Sequence, residues 1–281
     1  MKSLKEVHVM LSVLLTALAL RPTRLPYHHG FNHVPYYATW GPYRIIIKQR
    51  GHNENGNPQE MCIQDQHGHT LRRIRANWIY SVEEIRLIGH AALDLHIFLW
   101  SGGAYSAFTE VYFTRRHGLR NLLVFDGEDL GVKSVIDLNS DGIPEIIAEN
   151  PVLGDFSAYH FHRHWPLITI LQWNGRRYAD ATRHFPQRSL KEARARRDAI
   201  LRSRQYPDER PEWDIEDQIT AYYANMLAIG RGKDARRWLR KHVTAHEWNW
   251  VKQHERELRR IVATAASRRA YVTQAAVIEQ R

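Results

Sequence analysis

Apolar residues between Trp40 and about Asp180 fall in short β-branched or aromatic runs, broken by glycine, asparagine and aspartate. Tyr43-Arg-Ile-Ile-Ile47, Leu122-Leu-Val-Phe125 and Leu167-Ile-Thr-Ile-Leu171 are of this kind, and they predict strands joined by tight turns. Beyond Pro186 the spacing changes. Ile215, Ile219, Tyr222 and Met226, then Ala235, Trp238 and Leu239, recur three and four apart among alanine, arginine and glutamate, which predicts amphipathic helices. Asp214 is the expected N-cap of the first of these, and Gly230-Arg-Gly232 the expected break before the next. The fold class is therefore α+β: a β-rich module over 40–186, propeller-blade-like or a sandwich, followed by a helical domain over 187–281.

The chain opens differently. Lys2 and Lys5 precede an uncharged run from Val9 to Leu20, closed by Ala17-Leu18-Ala19. Some 12 residues rising about 1.5 Å each cover roughly 18 Å, short of a bilayer core of about 30 Å. The segment reads as a signal peptide over 1–19, with a linker over 20–39, so the expected location is secreted or periplasmic with no transmembrane anchor left after cleavage. A buried N-terminal helix is the alternative.

The β-region repeats itself. Gly103-Ala-Tyr-Ser-Ala-Phe108 aligns with Gly154-Asp-Phe-Ser-Ala-Tyr159 at an offset of 51, and the same offset lays Arg86–Asp94 on Asp137–Glu145, matching Leu87 to Leu138 and Asp94 to Glu145. Phe125-Asp-Gly127 meets Trp173-Asn-Gly175 at an offset of 48. A weaker third copy spans Tyr43–Leu71 and includes Ile63-Gln-Asp-Gln-His-Gly68.

Within the second unit, Asp137-Leu-Asn139-Ser-Asp141-Gly142-Ile143-Pro-Glu145 sets oxygen side chains at loop positions one, three, five and nine, with glycine at six. Alternate oxygens on a tight loop converge on a hard cation, and the Ile143 carbonyl supplies another ligand, so the loop predicts Ca2+. Ala148 stands where an EF-hand would have its twelfth-position glutamate, and apolar pairs flank the loop, which places it between strands. Asp-x-Asn-x-Asp-Gly-x-x-Glu in this setting resembles the calcium loop of FG-GAP or VCBS repeats, as found in integrin α-chain propellers and exported bacterial proteins. The resemblance covers roughly residues 40–186. It implies Asp137, Asn139, Asp141 and Glu145 as side-chain ligands, with Ile143 through its carbonyl. The first unit departs from that pattern: Arg86, Ile88 and His90 occupy ligand positions and Asp94 alone remains, so that loop is expected to have lost calcium and one ion site, not a row of them, is expected in the β-region.

Charge refines the picture. The chain carries +10, of which residues 187–281, with 21 basic and 13 acidic side chains, supply +8. The lone Cys62 excludes an internal disulfide and any site of several thiolates. His160, His162 and His164 alternate, but side chains two apart on a strand stand about 6.6 Å from each other, which makes an exposed polar face the plainer reading than a metal site. His242 and His246 lie four apart, but the HExxH pattern fails because Trp250 stands where the second histidine is required. No nucleophile elbow surrounds Ser101, and no phosphate-cradling loop or dinucleotide fingerprint is present.

The sequence thus assigns no catalytic residues and points to a non-catalytic, calcium-stabilised binding or scaffold protein. Its partner would be a protein or a cell-envelope polymer, and no nucleic acid is expected. Two other readings stay open. One is a hydrolase-type enzyme with its site between the β-module and the helices; the other is a basic envelope-associated protein held by anionic polymer or lipid.

Overall fold

The computed structural model describes residues 25–29, 33–51, 58–89, 92–100, 108–128, 130–153, 165–205, 213–267 and 276–280. The expected signal peptide, the histidines at 160, 162 and 164, Ser101 and most of the Gly103/Gly154 match lie outside these residues. Among the described residues, no helix is long and apolar enough to cross a membrane.

The β-region is built from three successive antiparallel meanders. The first is β2 (Tyr36–Trp40), β3 (Tyr43–Gln49), β4 (Gln59–Gln64) and β5 (Thr70–Ala76). The second is β6 (Trp78–Ile85), β7 (Asp94–Trp100), β8 (Phe108–Thr114) and β9 (Arg120–Glu128). The third is β10 (Gly131–Ile136), β11 (Glu145–Asn150), β12 (Leu167–Trp173) and β13 (Tyr178–Asp180). Two further strands come from distant sequence: β1 (Tyr27–His28) pairs with β6, and β14 (Ala276–Gln280) pairs with β5. The segment expected to be helical to its end therefore also contributes a strand to the first sheet.

Side-chain alternation along each strand decides how the sheets stack. Ile45, Ile47, Met61, Ile63 and Ile74 of the first sheet face Ile79, Val82, Leu95, Ile97 and Val111 of the second, all fully buried. The opposite side of the second sheet presents Tyr112, Leu123 and Phe125 to Ile146, Ala148 and Tyr178 of the third. Ile147, Ile168 and Ile170 then point away from the second sheet and, with Phe185, form the far side of the third.

Helices cover that far side. They are α1 (Pro186–Gln205), α2 (Trp213–Ala228), α3 (Gly232–His242) and α4 (Ala245–Ser267). Tyr223, Leu239 and Leu258 are fully buried in a core that they share with Leu153 and Leu167 of the β-region. Each such large apolar side chain contributes about 1.5–3 kcal/mol on burial. Asn225, fully buried on α2, ties the two parts together: its Oδ1 accepts from the Ile168 N–H at 3.0 Å, and its Nδ2 donates to the Pro166 carbonyl at 2.9 Å and to Ala221 O at 2.9 Å. α2 opens at Trp213, one residue before the expected cap, and ends where expected. Gly230 adopts φ +77, and Arg231 N–H reaches back to Met226 O at 2.8 Å, a left-handed stop that favours glycine.

The duplication is visible in register as well as in sequence. Ile85 pairs with Asp94 across the β6–β7 hairpin, and Ile136 pairs with Glu145 across the β10–β11 hairpin, both shifted by 51 residues. The match of Phe125–Gly127 with Trp173–Gly175 does not hold. The former lies within β9, whereas the latter opens the turn from β12 to β13. The structural counterpart of that turn is the β8–β9 turn, with positive φ at Gly118 and Gly175 alike. An aromatic residue two before a glycine is too short a signal to tell a strand interior from a turn. In the first meander the loop between the leading strands has shrunk to Gly41-Pro42.

Candidate functional site

The predicted loop sits at the β10–β11 hairpin, and its own backbone organises it. Asp137 accepts from Gly142 N–H through Oδ2 at 2.8 Å and from Asp141 N–H through Oδ1 at 3.2 Å. Asn139 Oδ1 accepts from the same Asp141 N–H at 3.0 Å, while its Nδ2 donates to Asp141 Oδ2 at 2.9 Å. Asp141 Oδ1 takes the Ile143 N–H at 2.8 Å. These Asx-type bonds stabilise the positive φ values of Ser140, +62, and Gly142, +83. Asp137, Asn139 and Asp141 are thereby gathered on one turn, with Asn139 and Asp141 exposed.

Glu145 is placed otherwise. It is fully buried, its Oε2 accepts from Leu138 N–H at 2.7 Å and its Oε1 from Gln172 Nε2 at 3.1 Å. The equivalent loop explains why. Asp94, 1 % exposed, accepts from Leu87 N–H at 3.1 Å and from Ile88 N–H at 3.0 Å through one oxygen. In both units the ninth-position carboxylate clamps the amide seven residues earlier and closes the hairpin. The carbonyls just before the two clamps are also bound in equivalent ways. Trp40 Nε1 donates to Leu93 O at 2.9 Å, and Tyr178 OH donates to Pro144 O at 3.1 Å. Burial, reinforced by the charges of Asp94 and Glu145, pushes the Tyr178 phenol pKa up, so it stays a donor.

The fit to calcium is therefore divided. Asp137, Asn139 and Asp141 have the hard oxygens that the ion prefers and lie together; Glu145 is committed to the sheet in this geometry. Among the described residues, no three histidine, cysteine, aspartate or glutamate side chains gather as a metal site.

A second cluster was not foreseen from the sequence. His96 on β7 lies between two carboxylates: Nδ1 is 2.9 Å from Glu83 on β6 and Nε2 is 2.9 Å from Glu110 on β8. Tyr112 OH donates to the same Glu110 at 2.6 Å, Val132 N–H donates to its other oxygen at 2.8 Å, and the His96 ring stacks on Tyr112 at 4.6 Å. Two carboxylate acceptors require both ring nitrogens to carry protons. Burial opposes the imidazolium, but the bonds and charges of Glu110 and then Glu83 outweigh it, raising the His96 pKa. A cation held from both sides is a brace across three strands and not a free general base. Its sequence trace is Glu110, the one charged residue of the strand Phe-Thr-Glu-Val-Tyr-Phe-Thr.

Between the third sheet and the helices lies a groove of about 330 Å³, where the enzyme reading would need its chemistry. Asp180 is the acidic side chain lining it, and no histidine lines it among the described residues. One Asp180 oxygen is already engaged by Thr182, whose hydroxyl donates to it at 2.5 Å. Arg259, also at the groove, is tied by Glu255 at 2.8 Å and Tyr223 at 3.2 Å. His242, one of the failed HExxH positions, stacks on Trp238 at 4.4 Å and bonds its carbonyl at 2.8 Å, a packing role.

No family model, no curated protein and no solved structure matches this chain.

Proposed function

We propose that the protein is a non-catalytic binding scaffold in which the β10–β11 loop holds calcium, in the manner of the FG-GAP and VCBS repeats that the loop resembles. The comparison of the two equivalent hairpins carries this reading. Among the described residues, Asp94 closes the β6–β7 hairpin with Arg86 and Ile88 standing where the second loop has Asp137 and Asn139, so the clamp itself does not require those oxygen side chains. A surplus of oxygen ligands at alternate positions on an exposed turn is what an ion site needs. Asp137, Asn139, Asp141 and the Ile143 carbonyl would hold the ion, with Glu145 fixing the strand that follows. Bound calcium would offset the negative charge of the loop and stiffen it. The non-catalytic reading is supported by the braced state of His96 and by Asp180 of the groove, already bonded by Thr182.

Thermal unfolding in chelator and in 10 mM calcium tests this, alongside a variant with Asp137→Ala and Asp141→Ala. With a Kd of about 10⁻⁴–10⁻³ M, typical of extracellular modules, mass action gives about 1.4–2.7 kcal/mol, or about 3–10 °C in Tm. An equal shift in the variant, or none in the unmodified protein, refutes the site.

A further inference from the structure

The outer face of the first sheet, at the end of the stack opposite the helices, carries a patch not used by the calcium reading. Glu60, the second residue of β4, has 5 % of its side chain exposed, and four cations approach it: Lys48 at 3.1 Å, Arg75 at 3.1 Å, Arg73 at 3.6 Å and Arg50 at 3.8 Å. Register explains the array. Lys48 on β3 and Arg75 on β5 are the two cross-strand partners of Glu60, and Arg73 is the partner of Cys62, one pleat along. Arg44 is exposed on the same face, opposite Gln64. Glu279 of β14 occupies the register position beside Arg73.

Burial alone would raise the Glu60 pKa; the bonds from Arg75 and Lys48 and the charge of Arg73 overcome it, so the carboxylate stays ionised. Four basic side chains are thus gathered around one sunken carboxylate, with Arg44 further along the same face. Lys48 and Arg50 expose 54 % and 45 % of their side chains. The β3 and β5 rows lie about 10 Å apart, two strand spacings.

We propose that this face docks on an anionic phospholipid surface through its headgroup phosphates. Three features choose that occupant. The cations are spread in two dimensions over a sheet face, as headgroups are, and Arg supplies most of them, the side chain suited to bidentate phosphate contact. The centre of the patch is charged, whereas the cores of protein–protein interfaces are depleted of charge. Between Arg44 and Arg75 the outward positions of β3, β4 and β5 hold cations together with Ile46, Glu60, Cys62 and Gln64, and no aromatic ring of the kind on which single-stranded nucleic acid stacks. Glu60 fixes the orientation of its four neighbours, so little ordering is left for the docking step.

The test is co-sedimentation of the full chain with vesicles of phosphatidylcholine alone or mixed 3:1 with phosphatidylglycerol, in chelator so that the calcium loop plays no part. Binding should require phosphatidylglycerol and fall steeply between low and high salt. Arg73→Gln with Arg75→Gln should weaken partitioning about 25-fold, about fivefold per basic side chain. Lys48→Gln with Arg50→Gln, at more exposed positions, should do the same if the first pair disturbs folding. Arg237→Gln with Arg240→Gln on α3 should change it little. The proposal is overturned if both vesicles bind alike, if neither sheet pair weakens binding, or if the α3 pair weakens it as much. Sheet-dependent binding to duplex DNA or an acidic peptide, with none to vesicles, also overturns it.

Discussion

Replacing Asp94 by alanine isolates the hairpin clamp from any question of metal. The carboxylate is 1 % exposed and one of its oxygens satisfies two buried amides, those of Leu87 and Ile88. Its loss leaves both donors without a partner where water does not reach, at about 1–3 kcal/mol each, so about 4 kcal/mol in the middle of the range. At about 2–4 °C per kcal/mol this is a fall of about 8–16 °C in Tm. Asp94→Asn keeps an acceptor oxygen and loses only the assistance of the charge, about 1 kcal/mol. Urea unfolding followed by tryptophan fluorescence, read together with a thermal scan, measures both. A loss below about 1 kcal/mol for Asp94→Ala, or equal losses for the two variants, would refute the clamp and with it the account of Glu145.

Stability should depend on pH through His96. Its folded pKa is raised, so its contribution is complete below the unfolded value near 6.5 and disappears as pH rises through the folded value. The Tm gap between the unmodified protein and His96→Gln should therefore be larger at pH 5.5 than at pH 8.5; a gap that grows with pH would exclude the imidazolium brace. Asn225→Ala removes the bonds to Ile168, Pro166 and Ala221 and should cost about 2–4 kcal/mol, with amide exchange in β12 accelerating first. Unchanged protection at Ile168 would show that the helices are held to the sheet by apolar packing alone.

The strands and helices were legible because local pattern encodes them: the β-branched run Ile45-Ile46-Ile47 sits between Arg44 and Lys48, and Ile219, Tyr222 and Met226 fall on one helical stripe. The repeat was legible at Leu87 and Leu138 because the same clamp sits beneath both. What escaped was set by pairing between distant residues. Nothing near Glu110 announces that Glu83 and His96 will lie beside it, and nothing near Glu60 announces Arg73 and Arg75. From sequence, Glu145 reads as a cation ligand and Asp94 as the remnant of one, because a buried backbone clamp and a cation ligand ask for the same carboxylate at the same position.

The pairing of β14 with β5 has a bearing on synthesis. Ala276 bonds alongside Ala76, 200 residues earlier. At about 5–20 residues per second, a ribosome leaves the β5 edge waiting for about 10–40 s, ample time for an unpaired strand to find another nascent chain. The waiting strand, however, reads Thr-Leu-Arg-Arg-Ile-Arg-Ala, with arginine at three of seven positions. Such charges repel a second copy of the same edge, so β5 carries its own guard until its partner emerges.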